Sequence, residues 1–314
     1  MEFIDPKCTI LDQEPTLDGA LKMSEYAARV CYASTDKMGS VNTLDFVNNL
    51  IKSGHGEPVE CNAIYLKWDL VTEDYDHDRY AKYKANEYSR VRTYNDDTVC
   101  YVTTNYRVLV DNGWLDDLKF LCAPVEGKHE LRISVLFWTQ IVIASEANRY
   151  RKNSKGQRST RFCNFSKDKF GNEIKISLPN DEELSREEIN KAFERYEKHP
   201  EEVDYMFQEF MGNDLVESTH AIDYWLLANS ICEFCYIKLT TRFGWKAQRA
   251  RRILPLDAHT EMVHTAYLSD WKHYLAQRSD ETTGPAHPDI KIIADSLKQQ
   301  FIDKGYIKEG EVLR

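Results

Sequence analysis

No apolar run in this chain approaches the roughly 20 residues that a bilayer-spanning helix needs. The opening residues, MEFIDPKCTILDQEP, have neither a basic n-region nor an apolar h-region, so no signal peptide is expected. The expected compartment is therefore the cytoplasm, with no membrane contact. A Gly-rich phosphate loop of the P-loop or dinucleotide kind is missing, and so is a His-Glu-x-x-His zinc motif. CEFC, residues 232–235, has no second Cys-x-x-Cys at zinc-like spacing, which leaves a structural zinc site unsupported and no metal expected. Helical spacing instead puts Trp225, Ala228, Cys232, Cys235 and Leu239 on one apolar stripe, so both thiols are expected to face a core. The eight cysteines are scattered and fit reduced thiols better than a disulfide framework. Nothing supports a Ser-His-Asp set, although such groups converge in space and leave no sequence trace. Internal repeats, low-complexity segments and flexible linkers are lacking too.

What is present is enough to bury a full core. The chain has 314 residues, 42% hydrophobic and 29% charged, with a formal net charge of −10. An acidic chain repels polyanions, which argues against broad nucleic-acid binding but permits one small anion in a local basic cluster.

Periodicity predicts helices over PTLDGALKMSEYAARVCYAS and TLDFVNNLIKSGHG, the second stopped by Gly54. VECNAIYLKWDLV reads as a strand, and the polar, tyrosine-rich tract 73–98 as an exposed excursion. CYVTTNYRVLVDNGWLDDLKFL gives a short strand and a helix, and ELRISVLFWTQIVIA the strongest strand signal. CNFSKDKFGNEIKISLP suggests a turn and a short strand. Ser185 and Glu188 form a capping-box pattern. Helices are expected from there over 186–198, 201–211, 219–242, 246–253, 257–266, 268–278 and 288–303, with Pro288 in a first turn. Strands early and helices late predict a single α+β domain: helices packed on a mostly antiparallel central sheet, with a helix-rich C-terminal half and a polar insertion at 73–98.

One stretch stands against the acidic background. NRYRKNSKGQRSTRF, residues 148–162, contains Arg149, Arg151, Lys152, Lys155, Arg158 and Arg161, interleaved with Ser154, Gln157, Ser159 and Thr160. Guanidinium forks match phosphate oxygens, while hydroxyls and an amide can complete a phosphate cage or read a base edge. On residue type alone, a solvated basic loop, a small-anion site and a nucleic-acid contact all remain open.

Arg149-Tyr150-Arg151, seven residues, then Ser159-Thr160-Arg161 resembles the Arg-His-Arg, seven residues, Ser-x-Arg signature of flavin-dependent thymidylate synthases. AARVCYAS, LIKSGHGEPVE, STRFCNFSKDKFGNE and ARRILPLDAHTEMVHTAYLSDWKHYLAQR resemble that family in its order, and YVTTNYRVLVDNGWLDDLKFL resembles an insertion of one bacterial branch. The likeness covers about residues 17–303. It implies the family's own fold and conversion of dUMP to dTMP, with carbon from methylenetetrahydrofolate and a hydride from FAD reduced by NADPH. It further implies a homotetramer with shared active sites.

By the same resemblance, Arg149, Tyr150 and Arg151 would contact FAD, and so would His55, Glu60, Tyr267 and His273. Glu146, Gln157, Ser159, Thr160, Arg161 and Arg251 would bind dUMP, and Arg278 would hold and polarise the uracil. Arg149, Ser159 and Arg278 would serve the chemistry. A cation is needed at the pyrimidine carbonyl because charge builds there as C5 becomes nucleophilic. Each position also has a plainer reading. His55 could follow a helix stop in solvent, Glu60 could be a strand-edge carboxylate, and Arg251 a helix-surface cation. Arg278 could simply complement a helix dipole.

The sequence departs from the family at Tyr150, where the central His would stand, and at Asn148, where an apolar residue is usual. A phenol cannot supply a second ring donor, or a cation near neutral pH. Lys152, Asn153, Lys155 and Arg158 replace apolar, small or acidic residues; Cys31 replaces a small hydroxyl residue; Tyr267 and His273 stand where asparagines touch the flavin. These changes fall on the flavin side, while Ser159, Thr160, Arg161, Arg251 and Arg278 are intact.

Overall fold

A computed structural model describes residues 1–69, 78–94, 98–151, 153–200 and 220–313. Its strands are β1 (Glu2–Ile4), β2 (Lys7–Leu11), β3 (Ile64–Asp69), β4 (Arg90–Tyr94), β5 (Val99–Thr104), β6 (Arg132–Gln140), β7 (Ser154–Gln157), β8 (Lys175–Ser177) and β9 (His259–Tyr267). The helices are α1 (Leu17–Cys31), α2 (Thr43–Lys52), α3 (Asp78–Ala85), α4 (Tyr106–Asp111), α5 (Ile141–Ala147) and α6 (Arg186–Lys198). They continue with α7 (Ala221–Thr241), α8 (Ala247–Ala250), α9 (Leu268–Arg278) and α10 (Pro288–Asp303). The class is α+β. β2–β6, β3–β5, β4–β5 and β7–β9 pair antiparallel, whereas β1–β8 is parallel.

The chain divides into two compact units. One comprises Met1–Pro6, Thr139–Ile143 and Thr160–His259. Its core joins Phe165, Ile174, Ile176, Tyr236 and Ala258, with a second cluster of Leu178, Ile189, Ile222 and Leu226 under α6 and α7. Ser185 caps α6 as its sequence suggests, its hydroxyl accepting from the Glu188 amide at 3.3 Å. On α7 the buried positions are Ile222, Asp223, Leu226, Asn229 and Tyr236, so Cys232 and Cys235 flank the core half-buried. Burial also raises the pKa of Cys232.

The other unit comprises Lys7–Trp138, Ala144–Ser159 and Thr260–Arg314. It holds a four-stranded sheet in the order β2-β6-β9-β7 and a three-stranded sheet in the order β3-β5-β4. Thr16 caps α1 by accepting from the Gly19 amide at 3.0 Å, and Gly54 ends α2 at φ +75°. α9 and α10 keep the boundaries expected for them.

Three expectations give way. Residues 257–266 are not a helix: His259–Tyr267 is the inner strand β9, buried at every position but Glu261. A strand buried on both faces loses its period-2 alternation and imitates a buried helix. ELRISVLFWTQIVIA does not stay extended, because Ile141 begins helix α5. The tract 73–98 is no exposed excursion where it is described. It supplies α3 and β4, with Tyr80 and Tyr83 packed beside Trp68 and Leu109. Lys82 and Tyr83 both bond Asp117, at 2.5 and 2.8 Å. The helix expected over 201–211 lies outside the described residues. Among the described residues no helix is long and apolar enough to cross a membrane.

Candidate active site

β6 runs directly into α5, and α5 into a turn that carries the basic stretch to β7. The Arg149 amide bonds the Glu146 carbonyl at 3.1 Å and the Tyr150 amide the Ala147 carbonyl at 3.2 Å. Glu146 and Tyr150 therefore lie one helical turn apart and face the end of α9. Arg278 Nη1 lies 3.4 Å from Glu146 Oε2, each side chain only about a fifth exposed (20% and 23%). The adjacent Gln277 accepts a hydrogen bond from the Tyr150 hydroxyl at 2.6 Å. The Tyr150 ring meets Tyr274 edge-on at 5.2 Å and His273 at 6.4 Å, and burial raises its pKa. His273 itself is exposed.

Lys155, half-buried in β7, donates to the carbonyls of Tyr150 and Asn153. Burial pulls its pKa down to about 8. Asn153 reaches His264 Nε2 at 2.9 Å. His264 is wholly buried among Phe137, Trp271 and Tyr274, and burial, reinforced by Lys155 and Arg132, keeps its pKa well below the usual range. Gln157 accepts from Asn148 Nδ2 at 3.2 Å. The Ser159 amide bonds the Cys31 carbonyl at 2.8 Å. A Cβ on Gly156 would stand 3.2 Å from the Cys31 sulfur, so a side chain here would require Cys31 to give way by a few tenths of an ångström. Arg158 pairs with Glu261. Arg149 and Arg151 project into solvent and make no side-chain hydrogen bond or ion pair among the described residues.

Three residues surround Glu60, and two of them, Arg107 and Arg132, carry no sequence signal. Its carboxylate accepts from Arg107 Nη1 at 2.6 Å and from the Ser154 hydroxyl at 3.0 Å. Arg132 donates to Ser154 Oγ at 2.7 Å and to the Glu60 and Asn62 carbonyls. His55 is exposed; its Nδ1 lies 3.2 Å from the Ser53 hydroxyl and its ring meets Tyr32 edge-on at 6.3 Å. Tyr267 adjoins this cluster through Arg132. It is 3% exposed, its hydroxyl reaching the Tyr88 and Thr103 carbonyls at 2.8 and 2.9 Å. The Arg90 and Arg132 guanidiniums stand over its ring at 4.5 and 5.2 Å. Burial lifts its pKa to about 12.

The unit that begins at Thr160 holds the remaining nucleotide candidates. Arg251 Nη1 donates to the Thr160 hydroxyl at 3.2 Å. Arg161 is exposed, its guanidinium 5.5 Å from the Phe162 ring. Burial drives the pKa of the Cys61 thiol up, and that of Cys8 to about 12, so neither is activated by its setting. Among the described residues no group of three His, Cys, Asp or Glu side chains could hold a metal.

The structure was compared with solved ones. Two are crystal structures of a UMP/dUMP methylase, PolB, from Streptomyces cacaoi, one bound with 5-Br dUMP and the other with 5-Br UMP. Each is 14% identical to this chain and covers 96% of it, and 93% and 92% of their own chains are covered, with TM-scores of 0.40 and 0.41. No curated protein sequence matches the chain. The family model described as thymidylate synthase complementing protein matches residues 132–304, more than half of the 314. The match spans the Arg-Tyr-Arg stretch, the Thr160–Arg251 pair and Arg278, and the chain belongs to the thymidylate synthase complementing protein family.

Proposed function

We propose that this protein is a flavin-dependent thymidylate synthase that converts dUMP to dTMP, with methylenetetrahydrofolate as the carbon donor. The observation that carries the reading is Arg278, held against Glu146 within the stretch that the family model matches. A fixed guanidinium suits a carbonyl on which negative charge develops, because it is oriented before the reaction starts. Ser159 and Gln157 supply neutral donors and acceptors for the nucleotide. Thr160, Arg161 and Arg251 supply a hydroxyl and two guanidiniums for its phosphate. On this reading both compact units belong to one catalytic domain, and the working enzyme is a cytoplasmic homotetramer with shared active sites.

The residues present fit FAD. Arg149 and Arg151 are exposed cations with unused donors, as a diphosphate requires, and His55 offers an exposed ring. Glu60 and His273 complete the candidate flavin contacts. When bound, FAD reduced by NADPH supplies the hydride. Tyr150 takes part through its ring, because its hydroxyl is engaged by Gln277.

A second reading is a relative that makes another 5-substituted pyrimidine nucleotide, such as a hydroxymethylated one. It is favoured by the altered flavin side, where Tyr150 turns toward α9 and Tyr267 is buried. Incubation with dUMP, methylenetetrahydrofolate and NADPH, followed by mass spectrometry of the nucleotide, separates the two readings. dTMP supports the first and a hydroxymethylated product the second. A colourless protein that binds dUMP without converting it would make this a nucleotide-binding relative lacking flavin chemistry.

A further inference from the structure

Glu146 and Tyr150 are four residues apart at the exit of α5, and they engage consecutive residues of α9, Arg278 and Gln277. The tyrosine lies along the last turn of α9. Its ring rests on Tyr274 and His273, and its hydroxyl ends on Gln277. An imidazole at position 150 would stop short, since its nitrogens lie nearer the Cα than a phenol oxygen does. Behind Tyr150, Lys155 holds its carbonyl, and Asn153 is anchored on His264. With Tyr150 turned inward, Arg149 and Arg151 on either side are left exposed. Arg278 Nε is buried without a partner among the described residues. Such an orphan donor is rare in a native protein and costs free energy unless the site uses it.

We infer that Tyr150 and Gln277 are positioning residues. Their hydrogen bond fixes the end of α9, so that Glu146 holds Arg278 in one orientation ready for its ligand. This deepens the thymidylate synthase reading and rests on it for what the ligand is. The fixing of Arg278 stands on the contacts alone. Tyr150→Phe keeps the ring and removes the hydrogen bond together with the hydroxyl's own interaction with Arg278; Gln277→Met removes the hydrogen bond alone.

The first measurement needs no nucleotide. The full-length protein is treated with phenylglyoxal, and modification of each arginine is followed by peptide mass spectrometry. Tyr150→Phe and Gln277→Met should each raise the rate at Arg278 about three- to tenfold, the range that one lost hydrogen bond gives. The rate at Arg251 should be unchanged, and the double variant should add nothing. An unchanged rate at Arg278 in both single variants overturns the inference. The second measurement is dUMP affinity by calorimetry. Tyr150→Phe should weaken binding about three- to tenfold, with no further loss when it is added to Arg278→Ala, because the tyrosine acts through that arginine. Additive losses would make Tyr150 an independent contact and overturn the positioning role. Failure of the unaltered protein to bind dUMP would remove the thymidylate synthase reading, and the footprint at Arg278 would still decide whether the pair positions it.

Discussion

Four arginines this chain shares with the family, Arg149, Arg151, Arg161 and Arg251, are placed oppositely to four of its departures, Tyr150, Asn153, Lys155 and Arg158. Arg149, Arg151, Arg161 and Arg251 are exposed, and Arg251 donates to the Thr160 hydroxyl. Tyr150, Asn153 and Lys155 are turned inward onto Gln277, His264 and main-chain carbonyls, while Arg158 is paired with Glu261. These four departures thus act as internal supports, and the exposed shared arginines are the candidate contacts. Two of the extra cations are spent on internal partners, and one of them, Lys155, is held near the pH at which it loses its proton.

The sharpest way to break this contrast is to remove a contact. Arg278→Ala should lower the turnover of dUMP by about 100- to 1000-fold, the range for losing one preorganised donor at a developing charge, and a steady-state assay of dTMP formation measures it. Arg161→Ala should weaken dUMP binding by about 1.5–3 kcal/mol, read by calorimetry; unchanged affinity would remove Arg161 from the phosphate contacts. Thr160→Val removes the hydroxyl that accepts from Arg251 and should cost about 0.5–1.5 kcal/mol of the same affinity.

The smallest effect belongs to a support. Lys155 has a folded-state pKa of about 8 against an ordinary 10.5, so between those values the unfolded chain binds a proton that the folded one does not. This group's contribution to stability therefore rises with pH across that window and is lacking below it. Urea denaturation at several pH values should show a smaller alkaline gain, or a steeper alkaline loss, in Lys155→Met than in the unaltered protein. Parallel curves would place Lys155 in a more solvated setting.

Local signals gave α1, α2, α9 and α10, because each carries amphipathic spacing between recognisable stops. Local signals misled at β9. Its apolar residues are continuous because strands flank it on both edges, and only the tertiary arrangement supplies that fact. The tract 73–98 misled by composition, since the tyrosines that made it look exposed are the residues that α3 buries. At the site, Arg149, Ser159, Arg161 and Arg278 were legible through spacing and resemblance. Arg107 and Arg132 were not, because their part is a hydrogen-bonded cluster around Glu60 and Ser154 whose members lie up to 94 positions apart. Tyr267 was legible as a position only; its place between two guanidiniums, with its hydroxyl on main-chain carbonyls, depends on strands the sequence does not show to be adjacent.

Residues 150 and 277 are separated by 127 positions and joined by a single hydrogen bond. A mutation to His at 150 alone would leave the Gln277 amide without its donor, and a mutation to an aliphatic residue at 277 alone would strand a half-buried phenol. Either intermediate is less fit than the pair. Among descendants of this chain the two positions should therefore change together or stay together, and a graft of the ordinary histidine will need two codons rewritten.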